Sequence, residues 1–233
     1  MLYQASLRHQ TRNIVFSLSI LGATTVRHSS TAYLLRTPPP SAPREVPTPL
    51  VFVSSSSWDP RSQTGLRSLA TMFTTRGFTC LEIDLATSKD TCTSAALMEH
   101  FRAELSSHIR LSMIPFAPVV IARGSGALIA QTYISSHPAF GLLLISPPVC
   151  NTNLNSSSNA QGRALLPTAL PEFDFEPKFP CAILCTQQEA TVLTENRLWK
   201  DGNVSKIITR DEHALDGQEG FVKVGQWLDE VGV

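Results

Sequence analysis

Three side chains in the second half of the chain are of the types that nucleophilic catalysis uses. Ser125 follows a glycine after an apolar run, Glu189 follows the apolar run Cys181–Thr186, and His213 comes 24 residues after Glu189. A hydroxyl, an imidazole and a carboxylate can together form and break acyl bonds when they lie within hydrogen-bond distance of one another. Each also has a structural interpretation: Ser125 as a helix N-terminal residue, Glu189 as a solvated acid that starts a helix, and His213 as an exposed or helix-capping histidine.

The cysteines do not have the spacing of a metal site. They are Cys80, Cys92, Cys150, Cys181 and Cys185, an odd number without a Cys-x-x-Cys pair. A zinc site needs clustered Cys or His ligands at short spacing, and unpaired cysteines of this kind agree with a reducing compartment. We therefore expect no metal and no cofactor.

Short apolar runs rich in β-formers alternate with segments of helical periodicity. The predicted strands are Pro49–Val53, Phe78–Leu85, Pro118–Ala122, Gly141–Ser146, Cys181–Thr186 and Lys206–Thr209. Helices are predicted after Asp59-Pro60, over 94–110, after Gly126 and over 219–231. This alternation favours an α/β fold, with a mostly parallel sheet and helices on both of its faces. Ligands of such sheets bind at the carboxyl ends of the strands, so we expect a site there.

The order and spacing of these segments resemble the α/β-hydrolase family over about residues 49–231. The matching segments are PLVFV, FTCLEIDL with Asp84, PVVIARGSGALIAQTY, GLLLISPP, CAILCTQQEA and the late His213. The resemblance implies an α/β-hydrolase-like domain over residues 49–233. Its lid would be reduced, because only the short segment 149–180 is available to form one.

Enzymes of this family carry their nucleophile on a sharp turn between a strand and a helix, flanked by small residues. Aligning the helix that follows the turn places Ala122 and Gly126 at the two small positions and Gly124 at the nucleophile position. Glycine has no side chain, so the resemblance implies that the nucleophile is lost and the strained turn is relaxed. The alternative alignment makes Ser125 the nucleophile, but it puts Arg123 where the turn has least room.

The resemblance also assigns roles to the other positions of the site. Glu189 would be the acid that holds the histidine base, His213, in its working tautomer. Ser54 and Ser55 lie where the family usually has a His-Gly pair, whose backbone amides stabilise an oxyanion. No glycine is present at this place, although serine amides are able to donate.

Two functions follow from these assignments. The first is a catalytically impaired α/β-hydrolase-fold protein in mitochondria that binds a small acyl-type ligand or a mitochondrial protein partner. The alternative is an active serine hydrolase of the esterase or thioesterase type, in which His213 takes the proton of Ser125 and Glu189 orients the imidazole. A further alternative is hydrolysis without a covalent intermediate, with His213 activating water directly.

Residues 1–44 differ in composition from the rest of the chain. They contain five arginines and no acidic residue, and the apolar residues Leu7, Ile14 and Leu18 fall on one face at helical spacing. This combination is typical of a mitochondrial transit peptide. We predict a targeting segment over residues 1–44 that directs the protein to the mitochondrial matrix, followed by a linker over 45–48. A secretory signal and a disordered tail are the alternatives.

The composition of the rest of the chain argues against nucleic-acid binding and against a membrane-spanning helix. Of the 233 residues, 42% are hydrophobic, which is enough for a sizeable core. Residues 45–233 hold 14 basic and 19 acidic residues, and an acidic body argues against binding to nucleic acid. No uncharged apolar run reaches the ~18–20 residues that a membrane-spanning helix needs, so we expect no transmembrane segment.

Overall fold

One seven-stranded sheet organises the residues that the computed structural model describes, namely 31–88, 92–155 and 164–233. Its strands are β1 (Ala32–Arg36), β2 (Val46–Ser54), β3 (Phe78–Asp84), β4 (Val119–Arg123), β5 (Gly141–Ile145), β6 (Cys181–Thr186) and β7 (Val204–Thr209). The strand order is β1-β3-β2-β4-β5-β6-β7. All pairs are parallel except β1 with β3, which is antiparallel. The central strands are buried on both faces, as their continuous apolar sequences require.

Helices cover both faces of the sheet, as the sequence predicts. They are α1 (Leu66–Arg76), α2 (Ser94–Leu111), α3 (Gly126–Ile134), α4 (Asn151–Asn155), α5 (Gln187–Val192), α6 (Arg197–Lys200), α7 (Glu212–Asp216) and α8 (Gln218–Glu230). Helices α1 and α8 bury their apolar residues against one face, and α2 and α3 bury theirs against the other. The α/β prediction of a mostly parallel sheet with helices on both sides is confirmed.

Most predicted elements are present with small shifts at their ends. The helix predicted after Asp59-Pro60 begins as a 3₁₀ turn over Pro60–Gln63 before α1 starts. Gly77 ends α1 in the left-handed conformation with φ of 111°, and its N–H is bonded to carbonyls of the last turn.

The folded part extends further towards the N terminus than the sequence predicts. Strand β1 lies inside the segment predicted as a targeting sequence, and β2 begins at Val46, inside the predicted linker over 45–48. We therefore correct the start of the folded part from residue 49 to β1. The sequence does not reveal β1 because it is an edge strand whose first four residues are exposed. It therefore lacks the buried apolar run that identifies the central strands. Residues 1–30 lie outside the described residues.

Residues 164–180 pack on the α2 and α3 side of the sheet. Leu165, Leu166 and Leu170 are buried in that core. The indole N–H of Trp58 donates to the carbonyl of Leu165 at 2.7 Å, and Ser94 exchanges hydrogen bonds with Thr168. Residues 165–170 are therefore held closely against the core.

Candidate functional site

Two adjoining cavities open at the carboxyl ends of the strands. The smaller has a volume of about 300 Å³ and is lined by Asp59, Gly124, Ser125 and Ser146, among others. The larger, of about 620 Å³, lies beyond the ends of β5, β6 and β7. Pro148, Glu189 and Glu212 line both cavities, so we treat the two as one cleft. Its position is the one expected for ligands of an open parallel sheet.

Gly124 forms the bend between β4 and α3. Its φ is +55°, in the left-handed region that favours glycine, and its N–H donates to the carbonyl of Ile145 at 2.9 Å. A methyl group built on Gly126 would lie 3.8 Å from Cβ of Ala122, so the two predicted small positions face each other across the bend. The Arg123 side chain instead forms an ion pair with Asp216. The left-handed position at this bend is therefore occupied by Gly124, and Ser125 follows it with right-handed backbone angles.

Ser125 lines the cleft, and its hydroxyl is hydrogen-bonded to a carboxylate. It is only 2% exposed, has right-handed helical backbone angles, and makes no capping bond to the amides of α3. Its hydroxyl donates to Oδ2 of Asp59 at 2.7 Å. Ser125 therefore lies at the N-terminus of α3, as its structural interpretation predicts, but its hydroxyl does not satisfy the free amides of that helix.

Asp59 is a site residue that the sequence analysis missed. It is 5% exposed, lines the smaller cavity, and accepts the hydroxyl of Ser125 on one oxygen. Its other oxygen accepts the backbone N–H of Arg61 at 3.1 Å, which caps the 3₁₀ turn. The Asp-Pro signal locates this cap, but the contact with Ser125 joins residues 66 positions apart and has no local signal.

Glu189 is held by the start of α5 and by a second serine. Oε2 of Glu189 accepts the N–H of Thr186 at 2.8 Å, while the Thr186 hydroxyl accepts the N–H of Glu189, which forms a capping box. The same oxygen accepts the hydroxyl of Ser146 at 2.9 Å. Ser146 has φ of +45°, an uncommon angle for a non-glycine residue, at the point where β5 ends. Glu189 is therefore fixed at the cleft wall by these two groups.

His213, the predicted base, is exposed in the short helix α7. Its imidazole makes no hydrogen bond within the described residues. It does not line either cavity, although its neighbour Glu212 lines both. No hydrogen bond joins any two of Ser125, Glu189 and His213 in the described part of the chain. Ser125 and Glu189 thus line one cleft, but no hydrogen bond connects them to each other or to His213 in the described residues.

The two serines assigned to the oxyanion site are engaged elsewhere. The Ser55 N–H donates to the hydroxyl of Ser62 at 3.0 Å, and Ser55 itself is fully buried. The Ser54 hydroxyl donates to Asp84 at 2.9 Å, where Asp84 closes the end of β3. Neither serine lines the two cavities of the cleft. The Ser55 amide is therefore not free to stabilise an oxyanion.

Burial suppresses the acidity of three thiols. Removal from water raises the pKa of Cys80, Cys181 and Cys185 to about 12, with the carboxylate of Glu189 adding to the effect at Cys185. All five cysteines lie in the described residues and none forms a disulfide.

No group of three or more His, Cys, Asp or Glu among the described residues is placed to hold a metal ion. Within the same residues, no helix is long and apolar enough to cross a membrane.

Comparison of the fold with solved structures gives consistent matches. The chain superposes on MenH from S. aureus with a TM-score of 0.56 at 13% identity, over 86% of this chain and 99% of that one. Est1E from Butyrivibrio proteoclasticus matches with a TM-score of 0.60 at 12% identity, over 86% and 93%. The N-acyl homoserine lactonase AidH matches with a TM-score of 0.61 at 12% identity, over 87% and 93%.

Sequence comparisons do not add a closer relationship. No protein-family profile matches the chain, and no curated protein is similar enough in sequence to match it. At 12–13% identity the structural matches establish the fold alone. The chain has an α/β-hydrolase fold.

Proposed function

We propose that this chain is a catalytically impaired α/β-hydrolase-fold protein whose cleft binds a small ligand or a protein segment. The observation that carries the proposal is the bend between β4 and α3. Gly124 occupies it with φ of +55°, and the neighbouring hydroxyl of Ser125 is bonded to Asp59 and not to an imidazole. A serine hydroxyl without a base that takes its proton is a weak nucleophile.

The other parts of a hydrolytic site support the same proposal. Oε2 of Glu189 accepts the bonds from Thr186 and Ser146, no hydrogen bond joins Glu189 to an imidazole in the described residues, and the exposed His213 lines neither cavity. Loss of a triad member leaves only ~10³–10⁴-fold acceleration over water in the best-studied serine hydrolases. We infer that any turnover by this chain is of that residual size or smaller.

The nature of the matching structures supports a small, partly apolar ligand. Their names include a lactonase complexed with N-hexanoyl homoserine and an esterase with propionate bound. The cleft of this chain has room for a molecule of that size, because its larger cavity measures about 620 Å³. A small ligand with an apolar part is therefore our proposed occupant, and a mitochondrial protein partner is the second candidate.

Hydrolysis of p-nitrophenyl butyrate tests the catalytic part of the proposal. We expect the wild-type chain, Ser125→Ala and His213→Ala to hydrolyse this ester at the same low rate, because neither side chain belongs to an assembled relay. Circular dichroism spectra of the three proteins control for folding. A loss of at least about 100-fold in kcat/KM in both variants would establish the alternative, an active serine hydrolase.

We also propose that the N-terminal segment directs the protein to mitochondria. Residues 1–30, which precede β1, hold Arg8, Arg12 and Arg27 and no acidic residue, and this composition supports the proposal. Because β1 lies within the predicted segment 1–44, the test should use residues 1–30 only. Fused to a fluorescent protein, they should carry it into mitochondria, and diffuse cytosolic or secretory fluorescence would contradict the proposal.

A further inference from the structure

The larger cavity of the cleft has an apolar wall and a charged rim. Its apolar residues are Pro147, Pro148, Val149, Val192 and Leu193. Val192 is 58% exposed although it is a large hydrophobic side chain, so part of this wall is uncovered. An uncovered apolar wall in a concave site is suited to a short aliphatic chain.

Each of the three arginines that line the cleft lies beside a carboxylate. Arg123 forms an ion pair with Asp216. Arg61 lies 3.6 Å from Asp59, and Arg210 lies 3.4 Å from Asp211. Each of these guanidinium groups therefore has a carboxylate within 4.0 Å, which reduces its attraction for an anionic ligand.

Two carboxylates of the cleft have no cation. Glu189 and Glu212 line both cavities, and neither has a Lys, Arg or His nitrogen within 4.0 Å in the described residues. The two bonds that fix Glu189 both go to its Oε2, so Oε1 has no hydrogen-bond partner there. The net charge that the cleft presents to a ligand is consequently negative.

We propose that the cleft binds a ligand with a short apolar chain and a primary ammonium group. The chain packs on the wall of Pro148, Val149 and Val192, and the ammonium donates to Glu189 and Glu212. This inference rests on the proposed function, because it needs the cleft to be a binding site. It goes further by fixing the sign of the head group: a carboxylate head is repelled where an ammonium is attracted.

Three probes of equal chain length separate charge from hydrophobicity. Hexylammonium, hexanoate and 1-hexanol are titrated into the full-length chain near neutral pH and low salt, and the dissociation constants are measured by ligand-observed NMR. We expect hexylammonium to bind about tenfold more tightly than hexanoate, with hexanol between them, since each partly exposed charge pair contributes about two- to fivefold. Added salt should reduce the difference.

Substitutions locate the charge that is responsible. Glu212→Gln should weaken hexylammonium about two- to fivefold and leave hexanol unchanged. Glu195→Gln is the matched control, because Glu195 is exposed and pairs with Lys200 outside the cleft. An equal loss in both variants would contradict a specific role for Glu212.

The outcomes distinguish this inference from the function on which it rests. If hexanoate binds as tightly as hexylammonium or more tightly, the ammonium assignment is overturned while small-ligand binding in the cleft stands. If none of the three probes binds at millimolar concentration, the proposed small-ligand function fails and the inference fails with it.

Discussion

At the scale of single residues, the cleft retains polar groups but connects them differently from a catalytic relay. The hydroxyls of Ser125 and Ser146 each donate to a carboxylate, Asp59 and Glu189 respectively. A hydroxyl that donates to a fixed carboxylate satisfies that acid and stabilises the loop that carries it. These two pairs therefore give the buried Ser125 and the half-buried Ser146 a structural role in the cleft.

This structural role of Ser125 makes a prediction about stability. Ser125→Ala should lower the free energy of unfolding by about 1–3 kcal/mol, because Oδ2 of the buried Asp59 loses its donor. Urea denaturation monitored by circular dichroism measures the change. Ser57→Ala is the control, since Ser57 is exposed and its hydroxyl accepts only one long bond, 3.3 Å from the N–H of Thr87. An unchanged midpoint for Ser125→Ala would contradict the role proposed for the pair.

The sequence predicts which residues lie at the site, but not the hydrogen bonds that they form there. Gly124, Ser125 and Glu189 were all identified from their places at strand ends, and the structure puts all three on the cleft. The bond from Ser125 to Asp59 could not be predicted, because it depends on how the loop after β2 folds over the bend. For His213 the sequence allows both a catalytic and an exposed position, and the structure shows the exposed one, in α7.

At the scale of elements, buried strands were predictable and the edge strand was not. Strand β6 has the predicted bounds, Cys181–Thr186, because a run buried on both faces must be continuously apolar. Strand β1 is recognised only through its pairing with β3, from Ala32 opposite Asp84 to Arg36 opposite Cys80. Its side chains are mostly exposed, so its sequence has no strong strand signal.

The position of β1 predicts how the chain responds to truncation. Removing residues 1–44 deletes β1 and the ion pair between Arg36 and Glu82, whereas removing residues 1–30 keeps both. We expect the longer deletion to lower the free energy of unfolding by about 2 kcal/mol or more, through the lost ladder of hydrogen bonds on β3. Urea denaturation of the two truncated proteins measures this. Equal midpoints would contradict the placement of β1 in the sheet.

At the scale of the whole molecule, the thiols buried in the core make the free energy of unfolding sensitive to alkaline pH. The pKa of Cys80, Cys181 and Cys185 is raised from 9.0 to about 12 in the folded protein. The unfolded chain therefore releases these protons first, and the stability contributed by the neutral thiols is lost as the pH rises from about 9 towards 12. The loss is up to about 1.4 kcal/mol per pH unit for each thiol.

Replacing the three thiols tests this dependence. The variant Cys80→Ala/Cys181→Ala/Cys185→Ala should have a lower free energy of unfolding near neutral pH, but a shallower decline above pH 9 than the wild type. Urea denaturation at a series of pH values gives both slopes. Cys92→Ala serves as the control, because Cys92 is exposed. Parallel slopes for the wild type and the triple variant would contradict the assignment to buried thiols.

The central claim is that an α/β-hydrolase fold here holds a cleft without a reactive serine. Intact-mass spectrometry after incubation with a fluorophosphonate probe tests this most directly, because the probe adds covalently to activated serines. We predict that the mass of the folded wild-type chain does not increase. The account would be contradicted by a stoichiometric adduct that peptide mapping locates at Ser125. In that case the Ser125→Ala variant should fold but form no adduct.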